Sequence, residues 1–410
     1  MKQGDALSLP KGWEEKMLKE IGRAQTGTTP KTADKDNYGD LIPFIKPADI
    51  DIDNDGEIRY DNDGLSEKGL QAGRKIAEGS ILMVCIGATI GKVGFVNRDV
   101  SCNQQINSLT AKKEFHPKFI YYALSSSSFY EQVMKNSAQA TLPIINKGKW
   151  ECLTIKFPKS LPEQQQIVSI LNEAFAAIAK AKANAEQNLK NAKELFESYL
   201  QGVFESKGNG WEEKTLGEIA DVEYGYTDKS TEEGDYRYVR ITDIDKNGEL
   251  ILDDRKYIKH SKEAEGFLIQ NNDLLMARTG ATFAKVLLYN GDEPSVFASY
   301  LIRIKFKEKI ENALYWHFTK TKNYWEQANS LQSGAAQPHF NGAAVKQVVF
   351  AYPKSVKEQK VLIEKFEALS FESKKLETIY LKKLEDLVEL KKSILQKAFS
   401  GALKEKELMK

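Results

Sequence analysis

The sequence predicts an α+β protein in which two duplicated mixed α/β domains are separated by two long antiparallel helices that form a coiled coil. A seven-residue apolar repeat runs through two long segments, one central and one C-terminal, and a repeat held this long is typical of a coiled coil. The stretches before the two segments share motifs in the same order, as the copies of a duplicated unit would. Those stretches are rich in strand and turn signals, with short helical segments.

The central helix is predicted to extend from Leu161 to Ser206. Pro162 suits the first helical turn because its missing N–H has no intrahelical acceptor there, and Glu163 favours the positive end of the helix dipole. Some forty residues at about 1.5 Å each make a rod of roughly 60 Å. Steps of three and four residues meet a seam in which only the lysine is polar: Val168, Leu171, Phe175, Ile178, Lys182, Ala185, Leu189, Ala192, Phe196, Tyr199 and Val203.

The C-terminal helix repeats this pattern, with eight of ten seam positions apolar. A helix with such a seam needs a partner, and each of the two helices is the obvious partner for the other. We expect one domain at residues 1–160, the central helix at 161–207, a second domain at 208–354 and the C-terminal helix at 355–410. The C-terminal seam consists of Leu362, Phe366, Leu369, Ser373, Leu376, Tyr380, Lys383, Leu387, Leu390 and Ile394.

Three pairs of matching motifs define the duplication. Gly-Trp-Glu-Glu-Lys occurs at 12–16 and 210–214, and Gly-Ala-Thr occurs at 87–89 and 280–282. Pro-Lys-Ser, followed at the same distance by Glu-Gln, begins at Pro158 and at Pro353. The matches stay in order while their separation drifts by a few residues, which indicates one duplicated unit with loop insertions.

Within the two domains, matched segments have matched secondary-structure signals. Helical segments are expected at 117–135 and 310–330, and each leads into small polar residues of the kind found in binding loops, at 137–141 and 333–337. Short apolar or β-branched runs predict strands at 41–45, 81–86, 236–241 and 274–277.

Bulk composition restricts the class of protein. A chain of 410 residues with 41% hydrophobic content is expected to form two or three domains. Cys85, Cys102 and Cys152 form no CxxC, and with no apolar signal segment or membrane-length apolar run this favours a cytoplasmic location. Because the net charge is only +1, any nucleic-acid contact needs a local positive surface or a partner's contribution.

Two Asp-rich segments resemble the start of an EF-hand loop but lack its last ligand. The position of the bidentate glutamate is occupied by Asn62 in one copy and Asp254 in the other. Asp-Gly and Asn-Gly supply the positive φ values of tight turns, so we interpret both segments as hairpin turns. The segments contain Asp51, Asp53, Asp55 and Gly56 in the first copy and Asp243, Asp245, Asn247 and Gly248 in the second.

Residues 87–92 superficially resemble a phosphate loop, but the glycine spacing is one residue short and Val93 stands where Ser or Thr would bind magnesium. They form either a glycine turn between strands or a surface loop whose Thr and Lys contact a nucleic-acid backbone. No Asp-Pro-Pro-Tyr or Asn-Pro-Pro-Tyr motif of a base methyltransferase, nucleophile elbow or nuclease carboxylate-lysine set is found, which favours a binding and positioning role. The histidines His116, His260, His317 and His339 have no metal-ligand spacing.

Five motifs together resemble the specificity subunits of type I restriction-modification systems. They are Thr-Gly-Thr-Thr-Pro at 26–30, Ile-Leu-Met at 81–83 leading to Gly-x-Thr-x-Gly-Lys at 87–92, Asn-Gln-Gln at 103–105, and Pro158 before Glu163-Gln164 and a long helix. The order of head, helix, head, helix covers essentially the whole chain. The second copy departs from the pattern, with Tyr-Gly-Tyr-Thr at 224–227 and Ala-Ser-Tyr at 298–300.

The resemblance implies two target-recognition domains, each reading one half of a bipartite asymmetric site in double-stranded DNA. It implies a coiled coil that fixes the gap between half-sites and docks two methyltransferase subunits, to which restriction-translocase subunits add. This chain would then be non-catalytic and carry no cofactor, and S-adenosylmethionine, ATP and Mg would bind to partner subunits.

Base reading requires Arg, Lys, Asn and Gln side chains on loops that reach the major groove. For each nominated residue alone, an ordinary solvated loop position is the competing interpretation. The candidate DNA-binding residues are Thr28, Thr29, Lys31, Lys92, Asn103, Gln104, Gln105 and Gln139 in the first domain, and Arg278, Thr279, Lys285, Gln332, Ser333 and Gln337 in the second.

Apolar residues that flank the C-terminal seam are candidates for partner docking, although packing between the two helices explains them as well. Two other functions remain open: an enzyme with unusual motifs, and a coiled-coil protein-interaction scaffold with two duplicated binding heads. The docking candidates are Leu384, Val388, Leu395 and Phe399.

Overall fold

The computed structural model describes residues 9–51, 56–138, 142–333 and 339–402. The chain divides into two compact units, the first comprising residues 1–185 and 383–410 and the second residues 186–382. Each unit therefore contains one mixed domain and part of each of two long helices. In the described residues, no helix is both long enough and apolar enough to span a membrane.

The first unit is built on a four-stranded antiparallel sheet of order β2-β10-β7-β8, and β1 pairs with β11 beside it. Its strands are β1 Trp13–Met17, β2 Gly22–Thr26, β3 Tyr38–Ile45, β4 Ile50–Asp51, β5 Glu57–Ile58, β6 Gly64–Leu65, β7 Ile81–Val84, β8 Val93–Phe95, β9 Ser101–Cys102, β10 Ile106–Ala111 and β11 Thr154–Pro158. Its helices are α1 Leu18–Ile21, α2 Glu67–Ala72, α3 Pro117–Leu124, α4 Ser127–Asn136, α5 Lys147–Trp150 and the start of α6 Leu161–Ser206.

The second unit repeats this architecture, with a four-stranded antiparallel sheet of order β13-β19-β16-β17 and a β12-β20 pair. The predicted α+β fold with two duplicated domains is therefore confirmed. The strands are β12 Trp211–Thr215, β13 Ala220–Tyr224, β14 Tyr236–Val239, β15 Tyr257–Ile258, β16 Leu274–Ala277, β17 Val286–Leu288, β18 Ser295–Phe297, β19 Leu301–Phe306 and β20 Val349–Pro353. The helices are α7 Leu216–Ile219, α8 Lys262–Glu265, α9 Asn312–Phe318, α10 Lys322–Leu331, α11 Gly342–Gln347 and α12 Val356–Phe399.

The helical segments expected at 117–135 and 310–330 each consist of two short helices. In the first unit the hydroxyl of Ser126 accepts a hydrogen bond from the Phe129 amide at 3.3 Å and caps α4. In the second, Thr321 accepts one from the Tyr324 amide at the same distance and caps α10. A new N-cap satisfies free amides at the start of a helix, so each polar break ends one helix and begins the next.

The described residues of the two Asp-rich segments fit the turns expected of Asp-Gly and Asn-Gly. Asp53 and Asp55 lie outside the described residues, but β4 and β5 on either side pair antiparallel, and Gly56 has φ +70°. In the second unit Gly248 has φ +74°, and the Asp245 carboxylate accepts hydrogen bonds from the amides of Asn247 and Glu249, each at 2.8 Å. A Cβ on Gly248 would lie 2.4 Å from the Val286 carbonyl oxygen, so glycine is required by space as well as by φ.

The seams of α6 and α12 are packed within each unit. In the second unit the Tyr199 and Phe366 rings lie 6.1 Å apart, and the Ser373 hydroxyl donates a hydrogen bond to the Ala192 carbonyl, so the two helices run antiparallel there. The polar seam residue Ser373 is therefore satisfied by the partner helix backbone. In the first unit the residues packed into the common core are Val168, Leu171 and Phe175 of α6 with Ile394, Leu395, Ala398 and Phe399 of α12.

A buried glutamine ties each long helix to its domain. Gln164 donates to the Pro158 carbonyl at 3.0 Å and accepts from the His116 amide, which precedes α3, at 2.9 Å. Gln359 makes the matching bonds to Pro353 and to the Glu311 amide, both at 2.8 Å. Both glutamines are fully buried. One amide group thus joins the last strand, the long helix and the preceding helix pair of each unit.

The neighbouring glutamates bind the other duplicated motif. Trp13 donates its indole N–H to Glu163 at 3.3 Å, and Trp211 donates to Glu358 at the same distance. The Gly-Trp-Glu-Glu-Lys and Glu-Gln motifs, although about 150 residues apart in each copy, therefore meet at the start of each long helix.

We predict that Gln164→Ala lowers the free energy of unfolding by about 2–3 kcal/mol, because the His116 amide and the Pro158 carbonyl lose their partner in a buried setting. Gln165→Ala, at the next position and exposed, is the matched control and should change stability by less than about 0.5 kcal/mol. Denaturant unfolding of both variants measures the difference. Equal stabilities would contradict the role assigned to the Gln164 amide.

His317 is buried in the aromatic core of the second unit. Its ring centroid lies 5.0 Å from that of Phe366 and 4.9 Å from that of Trp316, and neither ring nitrogen has a hydrogen-bond partner among the described residues. Burial, with a smaller contribution from the positive charge of Lys320, lowers the pKa of His317 to about 3. The imidazole is therefore neutral in the folded protein at neutral pH.

We predict that protonation of His317 destabilises the protein in acid. The pKa in the folded protein lies below the unfolded value, so the unfolded chain binds the proton first. Above pH 6.5 His317 is neutral in both states and does not lower the free energy of unfolding. As the pH falls from 6.5 towards about 3, the free energy of unfolding decreases by up to about 1.4 kcal/mol per pH unit. Unfolding midpoints measured between pH 7 and pH 4.5 should fall less steeply for His317→Phe than for the native chain. Equal slopes for the two proteins would contradict the role assigned to His317.

Candidate nucleic-acid interface

Loops cluster at one end of the central sheet of the first unit, where β2 and β7 end and β10 begins. We call this the first loop end. A Cβ on Gly27 would lie 2.1 Å from the Asn103 carbonyl oxygen, so only glycine permits the two backbone segments to approach so closely. The Gly27 amide donates to the Ile106 carbonyl and the Thr28 amide to the Cys102 carbonyl, each at 2.9 Å. The Thr-Gly-Thr-Thr and Asn-Gln-Gln motifs are thereby placed side by side.

The side chains of these two motifs form a polar network. Thr29 donates its hydroxyl proton to the side-chain oxygen of the exposed Gln104. The Asn103 amide group donates to the Gln105 side-chain oxygen at 3.0 Å, and the Gln105 backbone amide donates to the Asn103 side-chain oxygen at 3.1 Å. The first loop end therefore presents neutral amides and hydroxyls, which are groups that read base edges.

The corresponding second loop end, where β13 and β16 end and β19 begins, has the same backbone framework. A Cβ on Gly225 would lie 2.3 Å from the Ala298 carbonyl oxygen, as Gly27 requires in the first unit. The Arg278 amide donates to the Tyr300 carbonyl at 3.0 Å, and the Cys85 amide makes the matching bond to Gln105 at 2.8 Å. Arg278 and Cys85 thus occupy equivalent positions with different chemistry.

Arg278 lies close to the rings of two tyrosines. The centre of its guanidinium lies 5.2 Å from the ring centroid of Tyr224 and 5.5 Å from that of Tyr300, within cation–π range. The Tyr224 hydroxyl accepts a hydrogen bond from the Gly342 amide at 2.8 Å, which fixes this ring. Tyr224 and Tyr300 remain 42% and 55% exposed, so the cluster is open to a ligand.

His339 links Arg278 to the loop after α10. Bridges join Thr279 to His339 and Ser333 to His339, and the Phe340 amide donates to the Arg278 carbonyl at 2.7 Å. Thr279 itself is buried, whereas Gln332 and Ser333 are exposed beside it. The structure thus gathers Arg278, Thr279, Gln332 and Ser333 at the second loop end. The nominated Gln139 and Gln337 lie outside the described residues.

Two of the three nominated lysines, Lys92 and Lys285, line cavities rather than the loop ends. Lys92 donates its ammonium to the Ile50 carbonyl at 3.1 Å and lines a cavity of about 590 Å³ beside the helices of the first unit. Lys285 lines the equivalent cavity of the second unit, of about 410 Å³. Lys31 is exposed, and its carbonyl accepts from the Asn37 side chain at 3.1 Å. None of these contacts involves a motif residue of the two loop ends.

A second lysine, which is partly buried, also lines the Lys285 cavity. The ammonium of Lys320 lies 3.1 Å from the Trp316 ring centroid, and burial lowers its pKa to about 7. Burial also raises the pKa of the Cys85 thiol to about 12, so it is a protonated core group rather than a nucleophile. In the described part of the chain, no three His, Cys, Asp or Glu side chains are grouped closely enough to hold a metal ion.

Sequence reasoning missed Tyr224 and Tyr300 as functional candidates. Both stand where the second copy departs from the Thr-Gly-Thr-Thr-Pro and Asn-Gln-Gln motifs of the first. That departure was itself the signal, because aromatic residues that replace polar ones at aligned loop positions mark a change in what the loop end binds. Their distance from Arg278 required the sheet, which brings residues 224, 278 and 300 together.

The docking candidates on α12 divide into two groups. Leu395 and Phe399 are buried in the core of the first unit, where the Phe399 ring lies 5.2 Å from that of Phe119. They therefore belong to the internal core of the first unit, which includes the domain helix α3 as well as the other long helix expected above. Val388 is 51% exposed and Leu384 is partly buried. In the second unit, the most exposed large apolar residue of α12 is Phe371, at 67%.

The two domains share a framework but present different hydrogen-bonding groups at equivalent positions. They define a protein with two related, non-identical recognition sites. Residues 10–190 and 208–397 both match the family described as type I restriction modification DNA specificity domain. The chain therefore belongs to the family of type I restriction-modification specificity subunits, which confirms the resemblance predicted from its motifs.

Individual relatives belong to the same family. The chain is 28% identical over 240 residues to the type I restriction enzyme MjaIX specificity subunit of Methanocaldococcus jannaschii, an alignment that covers 55% of each chain. It thus spans about half the length of that relative. Identity to the StySPI specificity subunit of Salmonella potsdam is 24% over 422 residues, covering 96% of this chain and 90% of that one.

The fold also matches a solved chain from a study of complex assembly and conformational transition of the type I R-M system. The TM-score is 0.77 at 16% identity, and the match covers 97% of this chain and 100% of that chain. At this identity the likeness is one of fold.

Proposed function

We propose that this chain is the DNA sequence-specificity subunit of a type I restriction-modification complex and that each domain reads one half of a bipartite, asymmetric site in double-stranded DNA. One observation carries the proposal. The same backbone framework presents the amides of Asn103, Gln104 and Gln105 in the first unit and Arg278 in the second. Amide and guanidinium groups prefer different base edges, so the two domains would select different half-sites.

Catalysis and cofactors are assigned to partner subunits. The chain would position DNA for methyltransferase subunits that bind S-adenosylmethionine, and for restriction-translocase subunits that use ATP and Mg. Two observations support this assignment. The Cys85 thiol is buried and protonated, so it is not a nucleophile, and the first loop end presents neutral amides, which can bind base edges but do not react with them.

The exposed apolar residues of the long helices are assigned to docking of two methyltransferase subunits. Phe371 and Ile379 in the second unit and Val388 and Leu390 in the first are each about half exposed or more. Large apolar side chains on a surface commonly mark protein interfaces. With a net charge of +1, the chain would gain DNA affinity when partner subunits add phosphate contacts around the duplex.

The proposal is tested by selecting random duplex DNA with the chain bound to its methyltransferase partner. We expect a bipartite motif with a fixed gap, and we expect Gln104→Ala to alter one half of the motif and leave the other unchanged. The chain alone should bind the selected DNA more weakly than the complex. A single uninterrupted motif, or none, would contradict the proposal and favour a protein-interaction scaffold, and equal affinities would count against the partner's phosphate contacts.

We predict that Lys285→Ala weakens binding by a similar factor for all sequences and lessens the salt dependence, by about one unit of slope if its ammonium contacts a phosphate. Lys354→Ala is the matched control, because this exposed lysine is paired with Glu212 at 2.8 Å. Titrations at several salt concentrations measure both slopes. Lys92→Ala is the corresponding test in the first unit, and unchanged binding in both Lys92 and Lys285 variants would remove phosphate contact from their roles.

A further inference from the structure

We infer that Arg278 reads a guanine in the half-site bound by the second unit, with Tyr224 and Tyr300 acting as positioning residues for its guanidinium. The inference rests on the proposed function and specifies what one of the two sites selects. It follows from the state of the guanidinium, from the chemistry of base edges and from the contrast with the first unit.

The guanidinium of Arg278 is positioned by its neighbours, but the described residues do not use its hydrogen-bond donors. Its centre lies over two tyrosine rings, 5.2 and 5.5 Å from their centroids, and this cation–π attraction places no hydrogen-bond acceptor beside its N–H groups. Its N–H donors lie in the plane and remain available. No described residue accepts a hydrogen bond from them.

The other arginines of this unit behave differently. Arg240 is paired with Asp243 at 2.9 Å, Arg255 with Glu293 at 2.7 Å and Arg303 with Glu223 at 2.7 Å. Arg237 is buried and donates to the Ile251 carbonyl at 2.5 Å. The Nε and Nη1 atoms of Arg237 have no hydrogen-bond partner among the described residues either, but they are buried. Arg278 is thus the arginine of this unit whose side chain makes no hydrogen bond or ion pair with a described residue while it lies in a cluster whose tyrosines are about half exposed.

Base chemistry selects guanine for such a group. Guanine presents two acceptors, O6 and N7, side by side in the major groove, and two parallel N–H donors of an arginine match them. Adenine places its N6 amino donor beside N7, so one of the two hydrogen bonds would be replaced by opposed donors. Cytosine presents an amino donor, and thymine presents a single acceptor beside a methyl group.

The first unit lacks this group at the equivalent position. Cys85 is buried there, and the Asn107 side chain donates to its sulfur at 3.2 Å. The guanine preference is therefore assigned to one half-site only.

The test uses the full chain bound to its methyltransferase partner. DNA selection with the native chain should yield a bipartite motif with a guanine at one position of one half. Arg278→Ala should abolish the preference at that position, and the other half of the motif should be unchanged. Tyr300→Phe should retain the preference because the ring is kept, whereas Tyr300→Ala should weaken it.

A second arm alters the DNA instead and compares the native complex with the Arg278→Ala complex. Replacing that guanine by 7-deazaguanine removes the N7 acceptor and should weaken binding of the native complex by about tenfold. The same replacement should have no effect on the Arg278→Ala complex. A bipartite motif in which no guanine depends on Arg278, or equal sensitivity of both complexes to 7-deazaguanine, would overturn the inference and leave the proposed function intact. Absence of any bipartite motif with the native chain would overturn the proposed function, and this inference with it.

Discussion

The buried amide of one glutamine at the start of each long helix is the contact on which the architecture of each unit depends. Gln164 and Gln359 bond in the same way to the last strand and to the backbone before the helix pair. A buried amide that loses its partners is costly, so the angle between the long helix and the domain is strongly specified. Trp13 and Trp211 reinforce the joint through Glu163 and Glu358.

Because the joint between helix and domain is fixed, the residues at the loop ends can vary between the two units. Gly27 and Gly225 hold the loop ends in the same conformation because any side chain there would meet a carbonyl oxygen. The residues they present are free to differ, and a buried thiol at Cys85 corresponds to the guanidinium of Arg278, which lies over a tyrosine ring. Duplication with divergence thus gives two sites of different chemistry on one framework.

Much of the fold was predictable because it depends on local patterns and on repeats in the sequence. The helix seams and the duplicated motifs are periodic features that need no knowledge of long-range contacts, and the two long helices at 161–206 and 356–399 lie where the seams predict. The predicted helical segment at 117–135 is interrupted because Ser126 caps a new helix, a local signal that competes with the apolar pattern. Of the site, the sequence indicated the loops but not which side chains meet.

The sequence by itself therefore determined the duplication, the fold class and the family, because each depends on residue order along the chain. Tertiary structure decided which residues of those loops act together. Tyr224, Arg278 and Tyr300 are brought together only by the pairing of β13, β19 and β16, and Lys92 is directed to the Ile50 carbonyl by a neighbouring hairpin. Contacts between distant segments depend on strand register and packing, which no single segment of the sequence specifies.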